Sequence, residues 1–206
     1  MTRRMVELYS GSGNMAAAFR IAGYMTMTID NDVKVCPDYL AHIGNVTGKD
    51  IRDYIGSPID VIWASPPCQV FSIASKLSNN WDHGKPKSEE AYGGLATLAD
   101  AIRLITELSP RFWYIENPRG MMRKMPMMKW FPRRTFTFCQ YGDRAMKPTD
   151  VWTNNQLWWP KMCRNGSSCH EPAPRGSKTG TQGKSGAKER GTLPPLFCKE
   201  IEEVSR

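Results

Sequence analysis

The stretch MVELYSGSGNMAAAFRIAGYMTMTID, Met5 to Asp30, decides the fold. "MVELYS" is a short apolar strand and "GSGN" a turn. "MAAAFRIAG" then sets Met15, Ala18, Phe19 and Ala22 at i, i+3, i+4 and i+7, one face of a helix. Asn14 can cap its start and Gly23 can end it. "YMTMTID" is a second strand, with acid at Asp30 and Asp32. Further on, "PIDVIWAS" and "RFWYIEN" are strands. Between them Leu95, Leu98, Ile102 and Ile105 mark a helix that stops before Pro110, and "LPPLFCKEIEEV" reads as a closing helix. Strands alternating with helices predict an α/β fold with a largely parallel sheet.

Strand, Gly11-x-Gly13, helix, then an acid at the end of the next strand is the layout of a nucleotide-type cofactor site. Asp30 follows Gly13 by 17 residues, near the ribose-binding acid of such units. A tight turn with a capped helix is the other reading of the same residues.

Bulk properties narrow the partners. The chain has 206 residues and a formal net charge of +8, which favours a polyanion such as nucleic acid. Between Lys161 and Arg190 there are seven Lys or Arg against two Glu. No apolar run suits a membrane span, and "MTRRMVELYSG" has no signal-peptide core, so a cytoplasmic, membrane-free protein is expected. There the six cysteines are expected mostly as thiols, ligands or catalysts.

"VIWASPPCQVFS" puts Cys68 just past a strand, where open α/β sheets place ligands. Glu116 in "ENPRG" follows another strand and opens on the same edge. A thiol beside a carboxylate suggests covalent catalysis with acid assistance. Taken singly, Cys68 could be a small buried hydrophobe and Glu116 a capping or surface acid.

The ordered series "VELYSGSGN", "TIDND", "GKDI", "SPPCQVFS", "ENPRG" and "QYGDRAMKPTDVWTN", over Val6 to Asn154, resembles the cytosine-C5 DNA methyltransferases. The resemblance implies a Rossmann-like methyltransferase fold, S-adenosylmethionine as cofactor and a cytosine in double-stranded DNA as substrate. It implies Cys68 as the nucleophile that adds to C6 of the base and Glu116 as the acid that holds N3. It matches Tyr9, Gly11, Ser12, Gly13 and Asn14 to the cofactor loop, Asp30 to the ribose acid and Asn31 to the adenine-stacking position. Asp50 and Ile51 match adenine-edge contacts, and Pro67 and Leu95 further walls. Toward the DNA it implies Gln69, Ser72, Asn117, Arg144, Lys147 and Thr149. The loop "KLSNNWDHGKPKS" is expected to close over an extruded base.

Three departures stand out. Lys147 and Thr149 occupy the places of the family's two late arginines, with Arg144 as a nearby substitute. Pro118 follows the Glu–Asn pair. A full target-recognition domain is lacking: residues 1–206 are expected as one catalytic domain. In it the basic, Gly- and Ser-rich loop 155–192 grips phosphates without reading sequence, and a helix spans 193–206. Such compactness suits a phage or mobile-element enzyme, expected as a monomer unless a partner subunit supplies target recognition. A DNA-binding protein that has lost turnover, an RNA substrate or another one-carbon donor are the alternatives. Cys163, Cys169, His170 and Cys198 could bind zinc or be free thiols and a solvated histidine, while Cys36 and Cys139 read as core or edge residues.

Overall fold

Alternation along "RMVEL" sends Met5 and Glu7 to one face of a sheet and Val6 and Leu8 to the other. Both faces are covered, which is why this strand is apolar almost throughout. The computed structural model describes residues 2–73, 77–172 and 186–206. Its strands are β1 (Arg4–Leu8), β2 (Met25–Asp30), β3 (Tyr39–Leu40), β4 (Val61–Ala64), β5 (Trp81–Asp82), β6 (Lys85–Pro86), β7 (Phe112–Pro118), β8 (Arg133–Thr137) and β9 (Pro148–Thr153). Its helices are α1 (Asn14–Ile21), α2 (Gly48–Ile55), α3 (Leu77–Asn80), α4 (Glu89–Leu108), α5 (Gly186–Gly191) and α6 (Pro195–Val204). The main sheet has the order β3-β2-β1-β4-β7-β9-β8. The first five strands are parallel, as the sequence predicts, and β9 and β8 extend that sheet antiparallel.

Helices α2 and α4 cover one face through Ile51, Ile55, Leu98, Ala101 and Leu104. Helices α1 and α6 cover the other through Met15, Phe19, Phe197 and Ile201. Phe197 stacks on Phe136 with ring centroids 3.8 Å apart, which fastens the C-terminal helix to β8. Among the described residues no helix is long and apolar enough to cross a membrane.

Two expectations change. Gly13, at φ 68°, holds the cap position of α1, and no side chain caps it there. Asn14 instead donates from Nδ2 to the Leu193 carbonyl at 3.0 Å, tying α1 to the C-terminal segment. Glu7 takes over the helix start, accepting the Ala16 N–H at 2.8 Å. The second change concerns the basic stretch 155–192. Its beginning packs on the sheet: Trp158 is buried and donates to Glu200, and Cys163 N–H donates to Thr137 Oγ1 at 2.9 Å. Lys178 and Lys184, expected to grip phosphates, lie outside the described residues.

Burial pushes the Glu7 carboxyl up to about 8, against the lowering effect of the Ala16 and Met15 N–H groups. The folded chain therefore keeps a proton that the unfolded chain loses near its ordinary value of 4.5. Stability from this group is complete below that value and is lost as pH rises through about 8. Glu7→Gln keeps an acceptor for Ala16 and removes the titration. Its unfolding free energy should lose about 4 kcal/mol less than wild type between pH 5 and pH 9. Parallel pH slopes in urea unfolding would contradict this.

Candidate active site

Strands β4 and β7 are parallel neighbours, with Ala64 opposite Ile115. Cys68, just past Ala64, and Glu116, just past Ile115, therefore share the carboxyl edge. The turn that carries Cys68 is fastened to the end of β7. The Cys68 carbonyl accepts the N–H groups of Phe71 and Ser72 at 3.0 and 2.9 Å. Met121 N–H donates to the Phe71 carbonyl at 2.6 Å, and Ser72 bridges to Gly120. Asn117 donates from Nδ2 to the Pro66 carbonyl at 2.9 Å, and its buried Oδ1 has no hydrogen-bond partner among the described residues.

Gly120 has a physical reason here. A Cβ at this position would stand 2.1 Å from the Phe71 carbonyl oxygen, a contact with backbone that cannot give way cheaply. Gly120→Ala should push the Cys68 turn off β7. We expect the turnover rate to fall about 100-fold, the scale of a misplacement near 1 Å, with the helical circular dichroism retained. An unchanged rate would mean that the turn is not held by this contact.

Glu116 is 7 % exposed, and burial holds its carboxyl above the ordinary carboxylate range. The Lys147 ammonium and a hydrogen bond from Ser65 pull it back down. Ser65 is itself held by Trp63 Nε1 at 2.8 Å. Burial likewise pushes the Cys68 thiol up, the charge of Glu116 adds to this, and Lys147 and Arg190 oppose it. Lys147 thus acts on both groups. Its ammonium sits 4.0 Å over the Phe138 ring and donates to the Arg190 carbonyl.

Beside this edge lies a cleft of about 190 Å³ lined by Tyr9, Asn31, Ala41, His42, Ile43, Pro67 and Thr97. Tyr9, Gly11 and Gly13 all have positive φ, so the loop after β1 winds tightly before α1. Tyr9 is fixed by its hydroxyl, which donates to the Thr97 carbonyl at 2.7 Å. Asp30 spans the loop ends, accepting Gly11 N–H at 3.0 Å and Asp32 N–H at 2.9 Å.

The structure thus brings Tyr9, Gly11, Ser12, Gly13, Asp30, Asn31, Pro67, Cys68 and Glu116 to one edge. It places others elsewhere. Asp50 is spent on the start of α2, where it and Thr47 form a reciprocal cap. Ile51 is buried in the core, and Leu95 packs against the same core. His42 and Ile43, from the 3-10 turn Ile43–Asn45, line the cleft instead. Asn117 and Thr149, expected toward DNA, are fully buried; Asn117 holds Pro66 and Thr149 Oγ1 donates to the Lys147 carbonyl at 3.2 Å. Gln69 and Arg144 are exposed. The expected closing loop is partly a hairpin of β5 and β6, with Trp81 buried and donating to the Val70 carbonyl at 2.7 Å. Cys198 is buried in α6 near Glu7, apart from the other proposed zinc ligands. His42 and Ile43 carry no periodic signal; the family's acid-plus-isoleucine pattern drew attention to "GKDI" instead.

An α/β sheet with a glycine-turn cleft and a thiol–carboxylate pair at its carboxyl edge defines an enzyme of the nucleotide-cofactor class. The chain belongs to the C-5 cytosine-specific DNA methylase family, whose sequence model matches residues 3–131. It is 29 % identical over 171 residues to a "probable DNA (cytosine-5)-methyltransferase" of Frog virus 3, covering 81 % of this chain and 77 % of that one. It is 27 % identical over 136 residues to the type II methyltransferase M.AquIA of Picosynechococcus sp., covering 59 % and 51 %. A DNA modification methyltransferase encoded within an E. coli prophage superposes with a TM-score of 0.53 at 18 % identity, over 79 % of this chain and 52 % of that one. The chain spans about half the length of that structure and of M.AquIA.

Proposed function

We propose that this chain transfers a methyl group from S-adenosylmethionine to C5 of a cytosine in double-stranded DNA. The observation that carries this is the placement of Cys68 and the buried Glu116, whose carboxyl burial holds above its ordinary range, on the sheet edge beside the cofactor cleft. The cleft suits the cofactor. Asp30 retains free lone pairs for ribose hydroxyls. Ile43 and Pro67 offer apolar walls to an adenine, with Asn31 and Thr97 alongside. A Cβ at Gly13 would meet nothing within 4 Å and one at Gly11 only the Tyr9 carbonyl oxygen at 4.0 Å, which leaves room at this loop for the methionine part. When bound, S-adenosylmethionine supplies an electrophilic methyl group.

The chain's own residues make cytosine C5 reactive. C5 is a weak nucleophile, and addition of the Cys68 thiolate at C6 gives it enamine character. Protonated Glu116 donates to N3 and stabilises the charge that develops as sulfur adds. Once C5 is methylated, loss of its proton expels the thiolate and restores the ring. Because C5 and C6 are hidden in a stacked duplex, the base must leave the stack to reach Cys68. Lys147 holds charge balance at the pair, while exposed Arg119 and Arg144 and the net charge of +8 favour the phosphate backbone. Gln69 and Ser72, on the Cys68 turn, would line the extruded base in this reading.

The direct test is transfer of labelled methyl from S-adenosylmethionine to mixed-sequence duplex DNA and, in a parallel reaction, to RNA, with digested nucleosides identified by mass. Label in 5-methylcytosine supports the proposal; label in RNA only, or none with cofactor bound, overturns it. This activity is assigned to the cytoplasm of a bacterial or phage-infected cell. A partner subunit for target recognition is a second reading, favoured by exposed Leu157, Trp159 and Met162 in one short segment. A sedimentation coefficient unchanged across concentration and lysate addition would argue against it.

A further inference from the structure

Cys139 and Cys163 are buried, and Cys169 and His170 lie against them at the surface. The four ligand atoms all fall within 4.8 Å of one another. Cys163 Sγ and Cys169 Sγ lie 3.6 and 3.7 Å from His170 Nδ1, and Cys169 Sγ lies 3.7 Å from Cys139 Sγ. A tetrahedral zinc with arms of about 2.3 Å to sulfur and about 2.0 Å to nitrogen sets sulfur–sulfur edges at about 3.8 Å and sulfur–nitrogen edges at about 3.5 Å, close to these distances. The Cys139–Cys163 edge, at 3.1 Å, is the one that would have to open.

We propose that Cys139, Cys163, Cys169 and His170 form a structural zinc site of the Cys3His type. Three thiols and one imidazole, with no carboxylate in the set, select a soft divalent ion. The surroundings suit thiolate ligands. Gln140 Nε2 donates to Cys169 Sγ at 3.2 Å, a hydrogen bond of the kind that orients a coordinating sulfur. Binding releases the thiol protons and leaves three thiolates and a neutral imidazole around the ion. The site is closed, with four protein ligands, so it is structural rather than hydrolytic.

Its position gives it a purpose. Thr137, the last residue of β8, pairs with Pro148 at the carboxyl edge, so the cluster sits beside the active-site edge. Cys139 follows Phe138, whose ring carries the Lys147 ammonium. Cys163, Cys169 and His170 come from the first part of the basic stretch. The ion would clamp that segment to the edge and fix the turn that presents Lys147 to Cys68 and Glu116.

The test uses the full chain purified under reducing conditions from zinc-supplemented cells. Elemental analysis should give about one zinc per chain. Cobalt(II) added to the chelator-stripped protein should give the intense visible bands and sulfur charge-transfer absorption of a tetrahedral thiolate site. Cys169→Ala, at an exposed position, should lose both, and Cys198→Ala should keep both. Four results would each overturn the proposal: a metal-free wild-type chain, a Cys139–Cys163 disulfide in the native protein, cobalt spectra unaltered by Cys169→Ala, or spectra lost in Cys198→Ala while that variant stays folded.

Discussion

Cys68→Ala brings methyl transfer to background while cofactor affinity and unfolding free energy stay close to wild type. The turn around Cys68 is held by backbone groups, by Asn117 and by the Gly120 contact, and the thiol itself carries none of these bonds. Deleting Sγ therefore removes chemistry without removing structure. Glu116→Gln should cost about 100-fold to 10,000-fold, the usual worth of a positioned acid. Equal transfer by Cys68→Ala and wild type would remove the covalent step, and with it the reason for a buried acid.

The same pair fixes the pH profile. Productive addition needs Cys68 as thiolate and Glu116 protonated. Burial raises both groups, so the thiol holds its proton to higher pH and the acid keeps its proton longer. The productive form is one microstate of the pair, so the rate should follow a bell whose two limbs belong to the coupled pair and not to either residue alone. Lys147 lowers both groups, so Lys147→Met should move both limbs to higher pH. Limbs that stay in place would show that Lys147 does not act on the pair.

Much of this was legible in the sequence, for identifiable reasons. Strands β1, β4 and β7 are covered on both faces, so their apolar runs stand out. Helix α4 has a 20-residue amphipathic pattern with Ser88 as its cap. Cys68 and Glu116 follow such strands and inherit their edge. Strands β8 and β9 were not legible: "RRTFT" and "PTDVWT" mix charge and hydroxyls with apolar residues, and buried Asp150 makes sense only with its partner in place. The thiol cluster hid for a different reason. Cys139 stands 24 residues before Cys163, and only the fold of β8 against the returning segment brings them together. Cys198, which the sequence offers as the fourth ligand, is turned into the core by the amphipathic face of α6.

Asp150 also sets the largest expected loss of stability. It is fully buried on β9, opposite Asn117 of β7 and Thr135 of β8. Arg123 spans it with a two-pronged ion pair and also donates to Thr135 Oγ1 at 3.1 Å. Thr135 Oγ1 donates to Asp150 at 2.7 Å, so the carboxylate keeps one neutral donor when the guanidinium goes. An exposed ion pair is worth well under about 1 kcal/mol, but removing one partner from a buried charge costs about 3–5 kcal/mol. Arg123→Met should therefore lower the unfolding free energy by that larger amount in urea titration. Adding Asp150→Asn should recover much of the loss, because the unpaired charge is what the single substitution leaves behind. A loss below about 1 kcal/mol for Arg123→Met would mean that water reaches Asp150, and that the antiparallel extension is joined to β7 by its backbone ladder alone.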